Sequence, residues 1–118
     1  MKLTLTGHSY KYAVEQIMTV LFPGEKPDYG QWDRREENCA AVELSEGLVW
    51  VTATTRLNRN GTRAIGVSRA LRSALETDEL ARDRVCQRIL KLSFFKAAVT
   101  LTGEIPPWGA LTGIRPAR

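Results

Sequence analysis

Histidine is nearly missing from this 118-residue chain, which holds His8 alone, and cysteine is scarce, with only Cys39 and Cys86. Neither thiol has a second cysteine or a histidine at a spacing that holds metal, which excludes the familiar zinc and redox motifs. There is no Gly-x-Ser-x-Gly, no phosphate-cradling Gly-x-x-x-x-Gly-Lys and no His-x-x-x-His. The adjacent carboxylates Glu36-Glu37 and Asp78-Glu79 read as a loop and a helix cap, and His8 as a capping or surface residue, so no catalytic constellation emerges. No apolar run approaches the length of a membrane span, and residues 1–7 lack the apolar segment and cleavage site of a secretory signal. A cytoplasmic chain is expected, its two cysteines buried and reduced, with a disulfide or a redox role as the alternatives.

What is present suits one globular domain. Apolar residues make up 43% and charged residues 25%, a balance that can bury a core without disulfides. The net charge of +4 is unevenly divided: residues 1–50 carry −3 and residues 51–118 carry +7. A basic second half suits an anionic partner, whether nucleic acid, a small-molecule carboxylate or an acidic protein, and it equally suits arginines standing on solvated faces.

Residues 2–6 alternate so that Leu3 and Leu5 share one side of a short strand. From His8 to Phe22, Tyr10, Val14, Ile17, Met18, Leu21 and Phe22 recur at helical spacing, and Pro23-Gly24 stops the helix. Residues 23–38 show no period and are expected to form a long loop. Tyr29 and Trp32 in that loop have three open roles: pinning it to the core, meeting a partner domain or stacking on a ligand. Two antiparallel strands follow, with Ala40, Val42 and Leu44 inward on the first. On the second, Val49, Val51, Ala53, Thr55 and Leu57 oppose Trp50, Thr52, Thr54 and Arg56. Asn60-Gly61 predicts a tight hairpin into a third strand from Thr62 to about Ser68, and residues 68–75 are a helical turn or a bridge.

The spacing then predicts a helix of roughly 25 residues, capped at Thr77-Asp78-Glu79 and ended at Gly103. Arg82, Arg84, Arg88 and Lys91 lie in its first half, whereas Lys96 is the single charge between Leu92 and Leu101. So apolar a segment needs cover on more than one side, from further protein outside this chain or from the first helix and the terminal segment. The expected fold is α+β in two layers: an antiparallel meander of about three strands plus an N-terminal strand, packed on two helices in the order β-α-β-β-β-α. Residues 1–104 form the domain and 105–118 a junction. If the first strand runs parallel to a later one, a right-handed crossover through the first helix is expected.

The junction is rich in backbone constraint, with prolines at 106, 107 and 116 and glycines at 109 and 113. Trp108, Leu111 and Ile114 supply apolar anchors, and Arg115 a two-pronged donor. The string Pro107-Trp108-Gly109-x-Leu111-Thr112-Gly113-Ile114-Arg115-Pro116 resembles the segment that joins an N-terminal accessory domain to the radical S-adenosylmethionine core in oxygen-independent coproporphyrinogen III dehydrogenases of the HemZ type. The resemblance implies a parent enzyme that oxidatively decarboxylates porphyrinogen propionates in haem biosynthesis, using a [4Fe-4S] cluster and S-adenosylmethionine. It also implies that Trp108, Gly109, Leu111, Thr112, Gly113, Ile114, Arg115 and Pro116 make an interdomain contact with a catalytic domain lying beyond this chain. That family's cluster motif, C-x3-C-x2-C, follows the shared segment and is not among these 118 residues, so no catalytic, cofactor or metal residue carries over. A second reading, of another class, is a stand-alone basic RNA-binding or protein-interaction module presenting Arg56, Arg59, Arg63, Arg69 and Arg72.

Overall fold

Alternation in the strands and a 3.6-residue period in the helices produce a two-layer α+β domain, seen here in a computed structural model that describes residues 1–33, 35–75 and 78–103. In chain order the elements are β1 (Lys2–Thr6), α1 (Lys11–Leu21), β2 (Asp28–Tyr29), β3 (Asn38–Glu46), β4 (Trp50–Arg59), β5 (Thr62–Leu71), a 3-10 turn (Arg72–Leu75) and α2 (Glu79–Thr102). They form one mixed sheet in the order β2-β1-β3-β4-β5. β1 runs parallel to β3, with Leu3 beside Ala40 and Leu5 beside Val42, and β3, β4 and β5 follow as an antiparallel meander. The junction expected at 105–118 lies outside the described residues.

One face of the sheet carries the core. Leu3, Ala40, Val42, Val51, Ala53 and Leu57 meet Val14, Ile17 and Met18 of α1 and Cys86, Ile89, Leu90, Phe94, Ala97 and Ala98 of α2. Phe94 is fully buried, and its ring meets that of Phe22 edge to face. The sheet and α1 thus both pack on α2, which gives its apolar second half cover on two sides. A buried hydrogen bond of 2.8 Å joins the hydroxyls of Thr55 and Ser93, and Ser93 also donates to the Leu90 carbonyl, so the polar pair inside the core is satisfied.

Local signals fix the boundaries. The β4–β5 hairpin turns at Asn60 and Gly61, with φ of 53° and 82°, the left-handed conformations that an Asn-Gly turn supplies. Asp78 caps α2, its carboxylate accepting from the Ala81 N–H at 2.6 Å, and Gly103 closes the helix in a left-handed conformation. At the other end of the domain, Glu25 accepts from the N-terminal ammonium at 2.9 Å, from Asn38 at 3.1 Å and from Arg59 at 3.2 Å. These donors, the ammonium foremost, hold its carboxyl below the usual range and tie the chain start to β3 and β4.

Two expectations require correction. The segment 23–38 is not wholly loop, because Asp28 and Tyr29 add a fifth, two-residue strand to the edge of β1 through Asp28 N–H to Met1 O and Gly30 N–H to Leu3 O. Val49 is not on the inward face of a strand. It lies in the turn before β4, where Gly47 N–H bonds to Trp50 O, and it is exposed.

Candidate functional site: the open face of the sheet

Because side chains alternate across a strand, the residues that do not face the helices share the opposite surface. On β4 these are Trp50, Thr52, Thr54 and Arg56, and on β5 they are Arg63, Ile65, Val67, Arg69 and Leu71. The register sets Trp50 beside Leu71, Thr52 beside Arg69, Thr54 beside Val67 and Arg56 beside Ile65. Trp50, Ile65, Val67 and Leu71 are 44%, 59%, 42% and 48% exposed, with Thr52 and Arg69 lying between the Trp50–Leu71 pair and Val67, on the side of the sheet away from both described helices.

Charge is concentrated here as well. The Arg69 guanidinium lies 5.5 Å from the centre of the Trp50 ring, a cation–π contact that holds both side chains on the surface. Arg56, Arg63 and Arg69 form no ion pair among the described residues; β3 places Glu43 on this face beside Thr54, and Glu36 and Asp33 of the preceding loop lie near Cys39 on the side of Arg63. Toward β1 the face is partly roofed. Trp32, half-buried, lines a hollow of about 130 Å³ with Thr4, Thr6, Ala41, Glu43, Thr54 and Arg56.

Of the five arginines grouped from the sequence, the structure brings three together and separates two. Arg59 points to the helix side, paired with Glu25 and lying 4.9 Å from the centre of the Phe22 ring, and Arg72 pairs with Glu46 at 3.5 Å. Tyr29 reaches α1, its hydroxyl bonded to Glu15 and its ring under the Lys11 ammonium. Burial first, then the Glu15 bond, pushes the Tyr29 phenol up to about 12, so it stays a neutral donor. The interdomain contact residues Trp108, Gly109, Leu111, Thr112, Gly113, Ile114, Arg115 and Pro116 lie outside the described residues.

The chemistry-bearing side chains elsewhere serve the fold. His8 accepts at Nδ1 from the Tyr10 N–H and contacts the Val42 carbonyl through Nε2, both at 3.1 Å, which requires a neutral ring protonated on Nε2. Tyr10 donates to Asp83 at 2.8 Å, pinning the start of α1 to α2. Burial raises both cysteine thiols, so each remains protonated and unreactive near neutral pH. Among the described residues, no three His, Cys, Asp or Glu side chains gather where they could hold a metal, and no helix is long and apolar enough to cross a membrane.

Burial also lowers the His8 value below its ordinary 6.5, outweighing the Val42 bond. The unfolded chain therefore takes up the proton first. His8 supports the fold fully above pH 6.5, and that support declines as pH falls from 6.5 toward the lower folded value. Replacing His8 by Asn retains an acceptor for the Tyr10 N–H and removes the titration. Urea midpoints measured from pH 7.5 to 5 fall more steeply for the wild type than for His8→Asn; parallel curves contradict this role.

Compared with known proteins, the chain matches no family model, no curated protein and no solved structure.

Proposed function

We propose that this chain is the non-catalytic N-terminal accessory domain of a cytoplasmic enzyme similar to the HemZ-type coproporphyrinogen III dehydrogenases. The observation that carries the reading is the string from Pro107 to Pro116, whose Trp-Gly-x-Leu-Thr-Gly-Ile-Arg-Pro composition is unusual and which comes shortly after the α+β domain in the sequence. A surface built for contact supports it: a Trp-Arg-aliphatic sheet face is the chemistry of a protein interface, in which aromatic residues and Arg are enriched. In this reading the [4Fe-4S] cluster, the S-adenosylmethionine site and the reacting groups belong to the following domain, and residues 1–103 cover or position it. The reaction of the parent enzyme is the oxidative decarboxylation of porphyrinogen propionates to vinyl groups.

The reading frame beyond Arg118 provides the test. It is expected to encode C-x3-C-x2-C, and its complete product, purified without oxygen, is expected to consume coproporphyrinogen III only when S-adenosylmethionine and a reductant are supplied. A frame without those cysteines, or a loaded product inert toward porphyrinogens, refutes the assignment. The separate reading as an RNA-binding module is favoured by Trp50 stacked on Arg69, and binding of a single-stranded oligonucleotide that weakens steeply with added salt supports it.

A further inference from the structure

The first helix begins without the usual means of holding a helix start. Among the described residues no side chain caps the N-terminus of α1, and its first turn holds no acidic residue. A short relay of side chains fixes it instead. Gly7, with φ of 78° and placed where a Cβ would strike the Leu44 carbonyl oxygen, turns the chain out of β1. His8 follows, bonded through Nδ1 to the Tyr10 N–H and through Nε2 to the Val42 carbonyl, its ring stacked 5.8 Å from that of Tyr10. The Tyr10 phenol then reaches Asp83 at 2.8 Å and lies beside the thiol of Cys86, which is fully buried. Tyr10 thus covers Cys86 on this side, held at its backbone by His8 and at its hydroxyl by Asp83.

A proton on His8 undoes one of these bonds. Accepting from the Tyr10 N–H needs a bare Nδ1, whereas the imidazolium carries N–H at both nitrogens, so donor meets donor while the Val42 bond survives. The start of a helix also disfavours an added positive charge. The charged and titratable groups around the relay are Tyr10 and Lys11 on α1, Arg82, Asp83 and Cys86 on α2, and Glu46 on β3. Glu46 is engaged by Arg82 at 2.8 Å and by Arg72 at 3.5 Å, Lys11 lies over the Tyr29 ring, and Asp83 is turned to the phenol. His8 is the side chain in this set whose ordinary value puts its charge change just below neutral pH.

We propose that residues 7–10 are a proton-operated latch over a thiol: when His8 takes up a proton the segment swings on Gly7, Tyr10 leaves Asp83, and Cys86 is uncovered while the sheet and the rest of both helices stay folded. The opening is local because the core contacts of α1, through Val14, Ile17 and Met18, begin a turn further on. Such a latch keeps Cys86 out of disulfide exchange near neutral pH, where thiolates are more abundant, and exposes it in acid, where they are rare.

Labelling with methyl methanethiosulfonate, read by peptide mass spectrometry, gives separate rates for Cys39 and Cys86. Dividing each into the rate for the urea-unfolded chain at the same pH cancels the intrinsic titration of the thiol and leaves a protection factor. Between pH 7.5 and 5.5 the protection of Cys86 is expected to fall several-fold, with about tenfold the ceiling set by one histidine of ordinary value 6.5, while that of Cys39 stays level. His8→Asn should make Cys86 level too. Tyr10→Phe, which removes the bond to Asp83, should lower Cys86 protection about tenfold at pH 7.5. A level Cys86 in the wild type, equal falls at both cysteines, an unchanged pH response in His8→Asn or full protection in Tyr10→Phe overturns the latch; equal falls would mean that the whole domain opens instead.

Discussion

Replacing Gly66 by Ala is expected to destabilise the domain more than any other single-methyl addition to the sheet. Gly66 sits in β5 directly beneath α2, and a Cβ at this position would come within 2.1 Å of the Ser93 carbonyl oxygen and 2.4 Å of the Ala97 nitrogen. Both are backbone atoms of a helix and cannot rotate away, so α2 must lift from the sheet. Lifting it stretches the Thr55–Ser93 hydrogen bond and opens the core around Phe94. Overpacking of this kind costs about 3 kcal/mol or more, a large fraction of the stability of a domain this size. Ser93→Ala separates steric displacement from loss of the hydrogen bond, since it removes the bond without moving the helix and should cost about 1–2 kcal/mol. Urea denaturation of the three proteins ranks them, and a Gly66→Ala protein as stable as Ser93→Ala contradicts the close approach.

Phe94→Ala should be the most damaging truncation. Phe94 is the largest of the fully buried side chains, and it packs where α2, α1 and the sheet converge. Removing the ring forfeits its transfer energy and leaves a cavity that two rigid layers cannot close, which costs about 3–5 kcal/mol. The melting temperature should fall by roughly 10–20 °C. Leu80→Ala, on the exposed first turn of α2, should leave it nearly unchanged. A small loss at Phe94 would mean that the two layers are not packed as described.

Much of this architecture was legible before the structure because local rules and tertiary packing agree. The Asn60-Gly61 turn, the Asp78 and Gly103 ends of α2 and the inward set Val51, Ala53, Thr55 and Leu57 each follow from residue chemistry that the fold then uses. β2 was not legible. Two residues have no period, and their strand exists through backbone bonds to Met1 and Leu3 that no side chain announces. Gly66 did carry a signal, since a lone glycine inside a strand marks a bulge or a close backbone approach, and the helix crossing it is the reason here. The open face was half legible. Alternation places Trp50 and Arg56 together, but grouping five arginines by proximity in sequence missed that Arg59 and Arg72 are drawn off by Glu25 and Glu46, carboxylates 34 and 26 positions away.

The division of labour proposed for the whole polypeptide, a contact domain here and the chemistry beyond Arg118, is tested most directly by iron content. The complete product and a version lacking residues 1–103 are both purified without oxygen and reconstituted with iron and sulfide. If this domain contributes no cluster ligand, both bind about four irons per chain. A complete product that binds none, or whose iron is lost only because His8, Cys39 and Cys86 leave with the deleted segment, as their replacement by Ala in the complete product would reveal, contradicts the account.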